Sequence, residues 1–290
     1  MAFNGTFEAP KIIPSAFGLL AVAKPENGID EDKWVRGFAQ EWETTPEIVT
    51  NYDATDDTNY TVATVTPIYY DEIDPFFIEV DETLSTLSFN SIDRVARIVR
   101  QLEGVSQKAV EAELWDGAIR IGESHNNKAL VDPAATILNS GTALSAKRAL
   151  ALLEHTIGTT SPAGEQGVIH MTRDVAALLA SDSQLIFHEK GTEHLQTLTG
   201  TPVIVGSGYS GAGPTDADGS TETPSATNKW MYATGQVRVF LGKPDVVNDS
   251  IAQGYDVSGN QNDVRLKAIR PAAVYFDTSI HLSVRVDLTA

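Results

Sequence analysis

The chain has 290 residues, 42% of them hydrophobic, enough to bury a core in one large domain or two smaller ones. Its 39 acidic and 21 basic residues leave a net charge of -18, so its surface repels nucleic acid and sequence-specific DNA or RNA binding is not expected. The absence of cysteine excludes disulfides, thiolate metal sites and a Cys nucleophile.

No run of apolar residues is long enough to span a membrane, and the opening MAFNGTFEAPKIIPSAFGLL lacks the basic start and small-residue cleavage site of a secretory signal. A soluble protein made in a cytoplasm is expected. Residues 1 to 33 read as an extended arm, because Pro10, Pro14 and Pro25 interrupt any helix. From Gly37 through Asp93 there are thirteen acids and no Lys or Arg. This is either a solvated acidic face or a segment that needs a basic partner surface. Its polar, turn-prone part predicts a long hairpin-like excursion, with strand material in NYTVATVT and then from Phe76, where Phe76, Ile78 and Val80 alternate with Phe77, Glu79 and Asp81.

Asn90 or Ser91 is placed to cap a long helix that Gly117 ends, with Ile92, Val95, Ile98, Val99, Leu102, Val105, Ala109, Ala112 and Trp115 as its apolar face. Arg94, Arg97 and Arg100 form a basic stripe beside that face. A second helix is expected from about Ala143 to Ile157, with Leu144, Leu152, Leu153 and Ile157 inward and Gly158 as its stop. GVIHM at 167–171 reads as a buried strand, and Thr172 as the cap of a short helix carrying Val175, Leu178 and Leu179. A strand follows at Thr201 to Val205, then a mobile surface loop at 207–228, rich in Gly, Ser, Thr, Pro and Asp. Alternating strands run through Trp230 to Phe240 and Val264 to Val286. The fold class is α+β, without the regular βαβ repeat of a Rossmann or barrel enzyme.

Candidate chemical motifs fail on their context. Gly206-Ser207-Gly208-Tyr209-Ser210-Gly211 fits G-x-G-x-x-G after a strand, but Pro214 and TDADGSTETPS forbid the helix N-terminus that would hold a pyrophosphate. Ser210 lacks the spacing of a hydrolase nucleophile. The histidines at 125, 155, 170, 188, 194 and 281 show no metal-ligand spacing and read as surface or core residues. Asp216, Asp218 and Glu222 lack the ligand order of a calcium loop. No catalytic residue, metal or cofactor is expected, and no enzymatic activity.

The order of parts, with FEAPKIIPSAFGLL, RQLEGVSQKAVEAELWDGA, GVIHMTRDVAALLAS, LTGTPVIVGSGYSG and RPAAVYFDTSIHLSVRVDL, resembles the Hong Kong 97-type major capsid proteins of tailed bacteriophages, especially those of actinobacteria. The resemblance implies an N-terminal arm at 1–36 and an E-loop at 37–76. It implies a peripheral domain at 77–129 and 261–290, including a spine helix at 90–117, and an axial domain at 130–260. The function implied is self-assembly through hexamers and pentamers into an icosahedral head that encloses double-stranded DNA without sequence-specific binding. The subunit would be assembled in the host cytoplasm and reside in the virion, with a portal protein as partner and scaffolding and decoration proteins, if used, as separate chains. Covalent cross-linking is not expected, because no lysine lies between Lys33 and Lys108. The acids Glu41, Glu43, Glu47, Asp53, Asp56 and Asp57 are expected to meet a neighbour's Arg94, Arg97 and Arg100, or its Lys267 and Arg270. The alternatives are an encapsulin-type bacterial shell and, in a different class, an enzyme or carbohydrate-binding module using the 207–228 loop as a lid.

Overall fold

The computed structural model describes residues 17–26, 34, 37–42, 69–85, 94–117, 127–160, 167–187, 195–215, 221–248 and 263–290. Strands β1 (Phe38–Trp42) and β2 (Tyr69–Ile73) form an antiparallel ribbon, with Phe38 opposite Ile73 and Trp42 opposite Tyr69. They close the base of the expected excursion. NYTVATVT lies outside the described residues.

Strand β3 (Phe76–Ser85) alternates as its sequence dictates: Phe76 and Ile78 are buried, Phe77 and Glu79 exposed. It pairs antiparallel with β13 (Asp263–Phe276), from Ser85 opposite Asp263 to Phe76 opposite Ala272. The other edge of β13 is taken by β12 (Asp245–Asn248) and β11 (Val237–Leu241), which completes a four-stranded sheet. On its inner face Phe76, Ile78, Leu266, Ala268, Ala272 and Val274 share one core with Ile98, Leu102 and Leu114 of a long helix. On its outer face Phe240, Ala273 and Tyr275 make a small cluster with Ile73 and Trp34.

That long helix, Arg94–Asp116, is designated α2, after a single turn α1 at Leu19–Val22. Its 23 residues at about 1.5 Å each give a rod of about 35 Å. Gly117 ends it as expected: it stands at φ 62°, and its N–H donates to the Glu113 carbonyl at 2.9 Å. The expected cap at Asn90 or Ser91 lies outside the described residues. The buried face differs from the expected one. Val95 is 53% and Val105 41% exposed, whereas Ser106, Gln107, Glu111 and Glu113 are buried. The C-terminal half of α2 is enclosed on nearly every side, so an apolar stripe could not describe its surroundings.

The second sheet has eight strands. In order they are β4 (Thr136–Ile137), β14 (His281–Asp287), β10 (Asn228–Thr234), β6 (Val168–Met171), β9 (Pro202–Val205), β8 (Leu195–Thr197) and β7 (Leu185–Phe187), with β5 (Leu144–Ser145) also on β14. Helices α3 (Ala146–Thr160) and α4 (Arg173–Ser181) pack on it through Ala149, Leu150, Leu153, Ile157, Val175, Ala176 and Leu179. Three details correct the sequence reading. Leu144 belongs to a strand, opposite Val286, and α3 begins only at Ala146. Gly158 lies inside α3, which runs to Thr160, and Leu178 turns outward while Ala176 takes the buried place. Along the chain the two sheets interleave: β11 and β12 join β13, while β14 sits with β10.

Candidate functional site

The sequence-predicted contact residues fall into three groups. Arg94, Arg97 and Arg100 all lie on the first two turns of α2, with Arg97 exposed and Arg100 half-buried. Lys267 and Arg270 each have a partner within their own subunit. The Lys267 ammonium lies 2.7 Å from Glu79 Oε2 on the adjacent strand. Arg270 Nε donates to the Gly242 carbonyl at 2.8 Å; burial lowers the guanidinium's pKa, against a smaller opposing pull from Glu103. Glu41 stands in β1 opposite Tyr70. Glu43, Glu47, Asp53, Asp56 and Asp57 lie outside the described residues.

The described chain concentrates its polar chemistry elsewhere, where α2 meets the N-terminal segment and the glycine-rich stretch after β9. Glu111, fully buried on α2, is the centre. Its Oε1 accepts from the Leu19 N–H at 3.0 Å and from Gln107 Nε2 at 2.9 Å. Its Oε2 accepts from the Ser207 N–H at 2.6 Å, Ser207 Oγ at 3.0 Å and the Gly208 N–H at 2.8 Å. All five donors are neutral, so among the described residues the carboxylate is held by converging dipoles and by no cation.

The glycines explain themselves here. A Cβ on Gly208 would lie 2.3 Å from the Lys108 carbonyl oxygen, and one on Gly18 would collide with the Gln107 amide. The G-x-G-x-x-G pattern thus marks backbone lying directly on a helix. Residues expected to form a mobile surface loop are instead buried at Tyr209, Gly211, Ala212, Gly213 and Pro214. The Ala212 carbonyl accepts from Trp115 Nε1 at 3.2 Å and from the Tyr232 hydroxyl at 3.0 Å, and Ser210 Oγ donates to Asp116 at 2.7 Å. Burial raises the Asp116 pKa, and the Ser210 bond partly offsets this. A lid that opens over a ligand would have to break these contacts, which argues against the binding-module alternative.

Behind this layer sits a buried pair of histidines. His170 in β6 hydrogen-bonds through Nδ1 with the Tyr209 hydroxyl and through Nε2 with Thr234 Oγ1, both at 2.9 Å. Burial, reinforced by His281, lowers its pKa to about 3. His281 Nε2 donates to the Leu130 carbonyl at 3.0 Å. Both are core histidines, one of the two readings that the sequence left open. The sequence reading missed Glu111 because an acid on a helix reads as solvated; the available signal was its neighbour Gln107, one turn away on the same face. Among the described residues no group of three or more His, Asp or Glu gathers as for a metal, and no helix is long and apolar enough to cross a membrane.

No family model and no curated protein matches the chain. Solved structures do, from end to end. A chain of the capsid of a native GTA particle, computed with C5 symmetry, is 12% identical with a TM-score of 0.58, covering 99% of this chain and 96% of that one. The capsid of Ralstonia phage GP4 gives 11% identity and a TM-score of 0.53, with 99% and 97% covered. A chain from Mycobacterium phage Adephagia gives 14% and 0.53, with 98% and 91% covered. The fold is therefore that of phage capsid proteins.

Proposed function

We propose that this chain is the major capsid protein of a tailed bacteriophage, a structural subunit that assembles through hexamers and pentamers into an icosahedral head enclosing double-stranded DNA. The observation that carries this reading is the extent of the fold match. Nearly the entire chain aligns with nearly the entire length of capsid subunits, ribbon, rod and both sheets included. A shared core domain alone would carry much less weight.

The physical features agree with this reading. A two-stranded ribbon such as β1–β2 is marginal in isolation and gains stability by lying on something larger. An acidic subunit also suits a DNA container, since a basic lining would grip the genome and hinder its movement. In this scheme residues 1–36 serve as arm, 37–76 as E-loop, and α2 as the spine between peripheral and axial parts. The described part of the arm, 17–26, lies on its own subunit: Leu19 is fully buried and the Glu26 N–H donates to the Val239 carbonyl at 2.9 Å. The acidic loop is assigned to a neighbour's Arg94, Arg97 and Arg100. The encapsulin reading is not favoured, because the similar capsids above are those of a phage and a GTA particle.

The test is electron microscopy of the purified chain. Closed shells or capsomer-like rings are expected, and particles recovered from infected cells should contain DNA. A 31.2 kDa monomer persisting at high concentration across salt conditions would overturn the proposal. Particles filled with cargo protein would favour the encapsulin.

A further inference from the structure

The two oxygens of Glu111 serve two different partners. Oε1 holds the N-terminal segment through the Leu19 N–H, with Gln107 alongside, and Oε2 holds the stretch after β9 through Ser207 and Gly208. These segments are far apart in sequence, and each closes on α2 through backbone N–H groups, to which Ser207 adds its hydroxyl. Gly18 and Gly208 allow the approach, because a Cβ on either would strike Gln107 or the Lys108 carbonyl. A carboxylate buried without a cation depends on having its donors together. Removing those on one oxygen leaves charge unsolvated and loosens the whole side chain.

We propose that Glu111 is a coupling residue: docking of the N-terminal segment and docking of the 206–213 stretch are mutually dependent through its single carboxylate. The coupling is reciprocal, as linkage requires. Seating either segment fixes the carboxylate rotamer that the other needs. It goes beyond the capsid reading and holds whether or not the chain builds a shell, so assembly is not its readout.

A direct route between the two segments also exists, since the Val205 N–H donates to the Phe17 carbonyl at 2.8 Å. The experiment must separate the two routes. Amide hydrogen exchange on the full chain would be followed at Leu19, Ser207 and Gly208 in wild type, Gly18→Ala, Glu111→Gln and the double variant. Gly18→Ala unseats the N-terminal segment, because its Cβ would meet the Gln107 amide and stand 2.5 Å from Glu111 Oε1, so it acts on the carboxylate from that side alone. It is expected to speed exchange at Ser207 and Gly208 by roughly tenfold, the size of a lost charge-assisted bond, in wild type and to have little further effect once Glu111 is Gln. The same acceleration in both backgrounds would show that coupling runs through Phe17 and Val205, and the proposal fails. Should Glu111→Gln not fold, Ser207→Ala removes one donor on the far oxygen and keeps both N–H groups. Faster exchange at Leu19 in that variant supports the coupling, and unchanged exchange overturns it.

Discussion

The backbone of Gly208 lies against the carbonyl of Lys108 so closely that a β-carbon would stand 2.3 Å from that oxygen and 2.9 Å from the Glu111 β-carbon. Neither neighbour is the free end of a flexible chain. Gly208→Ala must therefore push the loop off the helix, and it is expected to cost about 1–3 kcal/mol or more in unfolding free energy, as overpacking does. Chemical denaturation of the purified subunit measures it, and a neutral result would mean that the loop has room to shift.

The revised face of α2 separates two substitutions that the sequence alone would treat alike. Leu102 is fully buried and Val105 is 41% exposed. Leu102→Asp should abolish soluble, assembling protein, since a charge buried there without a partner costs several kcal/mol. Val105→Asp should fold and cost less than about 1 kcal/mol. Expression and thermal melts of the pair decide it. Equal damage from both would place the buried face wrongly.

His170 makes stability depend on pH in a predictable direction. Its folded pKa of about 3 lies below the ordinary imidazole value of 6.5, so the unfolded chain takes up the proton first as pH falls. The stability it contributes is complete above about pH 7 and is lost progressively as pH drops from 6.5 towards 3. Between pH 8 and pH 5, where most carboxylates remain ionised, the loss from this one residue is about 2 kcal/mol. His281, also lowered by burial, acts in the same direction. Denaturation midpoints at the two pH values should differ accordingly, and His170→Gln should flatten the difference. A wild-type profile flat across this range would contradict the buried neutral imidazole.

If the acidic segment lies on a neighbour, the contact is ionic and noncovalent. No lysine stands between Lys33 and Lys108 to form a cross-link, and exposed ion pairs are worth only about 0–1 kcal/mol each and are screened by salt. Particles boiled in SDS should run as a single 31.2 kDa band, and Arg97→Glu should weaken shells at moderate salt. A covalent ladder would refute the first expectation, and assembly indifferent to charge reversal at Arg94, Arg97 and Arg100 together would refute the second.

The parts of the fold legible in the sequence are those where one face is dry and the other wet. β3 shows it at Phe76 to Asp81, and Gly117 marked the end of α2 through its left-handed backbone. Periodicity failed where surroundings stop being two-sided. Along the last turns of α2 burial is nearly complete, so Gln107 and Glu111 are enclosed although their chemistry suggests water. The stretch from Gly206 to Pro214 was misread for a related reason. Glycine and serine are what a surface loop uses, and equally what a backbone pressed on a helix requires; only the partner distinguishes them. Leu144 joined a strand because β14, more than a hundred residues later, offers it a ladder. The acids proposed as contacts are legible as charge alone, and apart from Glu41 they lie outside the described residues.

The place of β14 in the eight-stranded sheet bears on how the molecule is made. His281–Asp287 is paired with β10 on one side and with β4 and β5 on the other, so the strand of this sheet that is synthesised after the other seven lies inside it, away from its rim. Until it emerges, β10 presents an unpaired ladder, and Thr136–Ile137 and Leu144–Ser145 have no strand to join. Nascent chains are therefore sticky along an open edge until β14 emerges. A chain broken off before residue 281 never closes that edge. Translation itself thus acts as the gatekeeper: only a subunit read through β14 is finished enough to take part in anything larger.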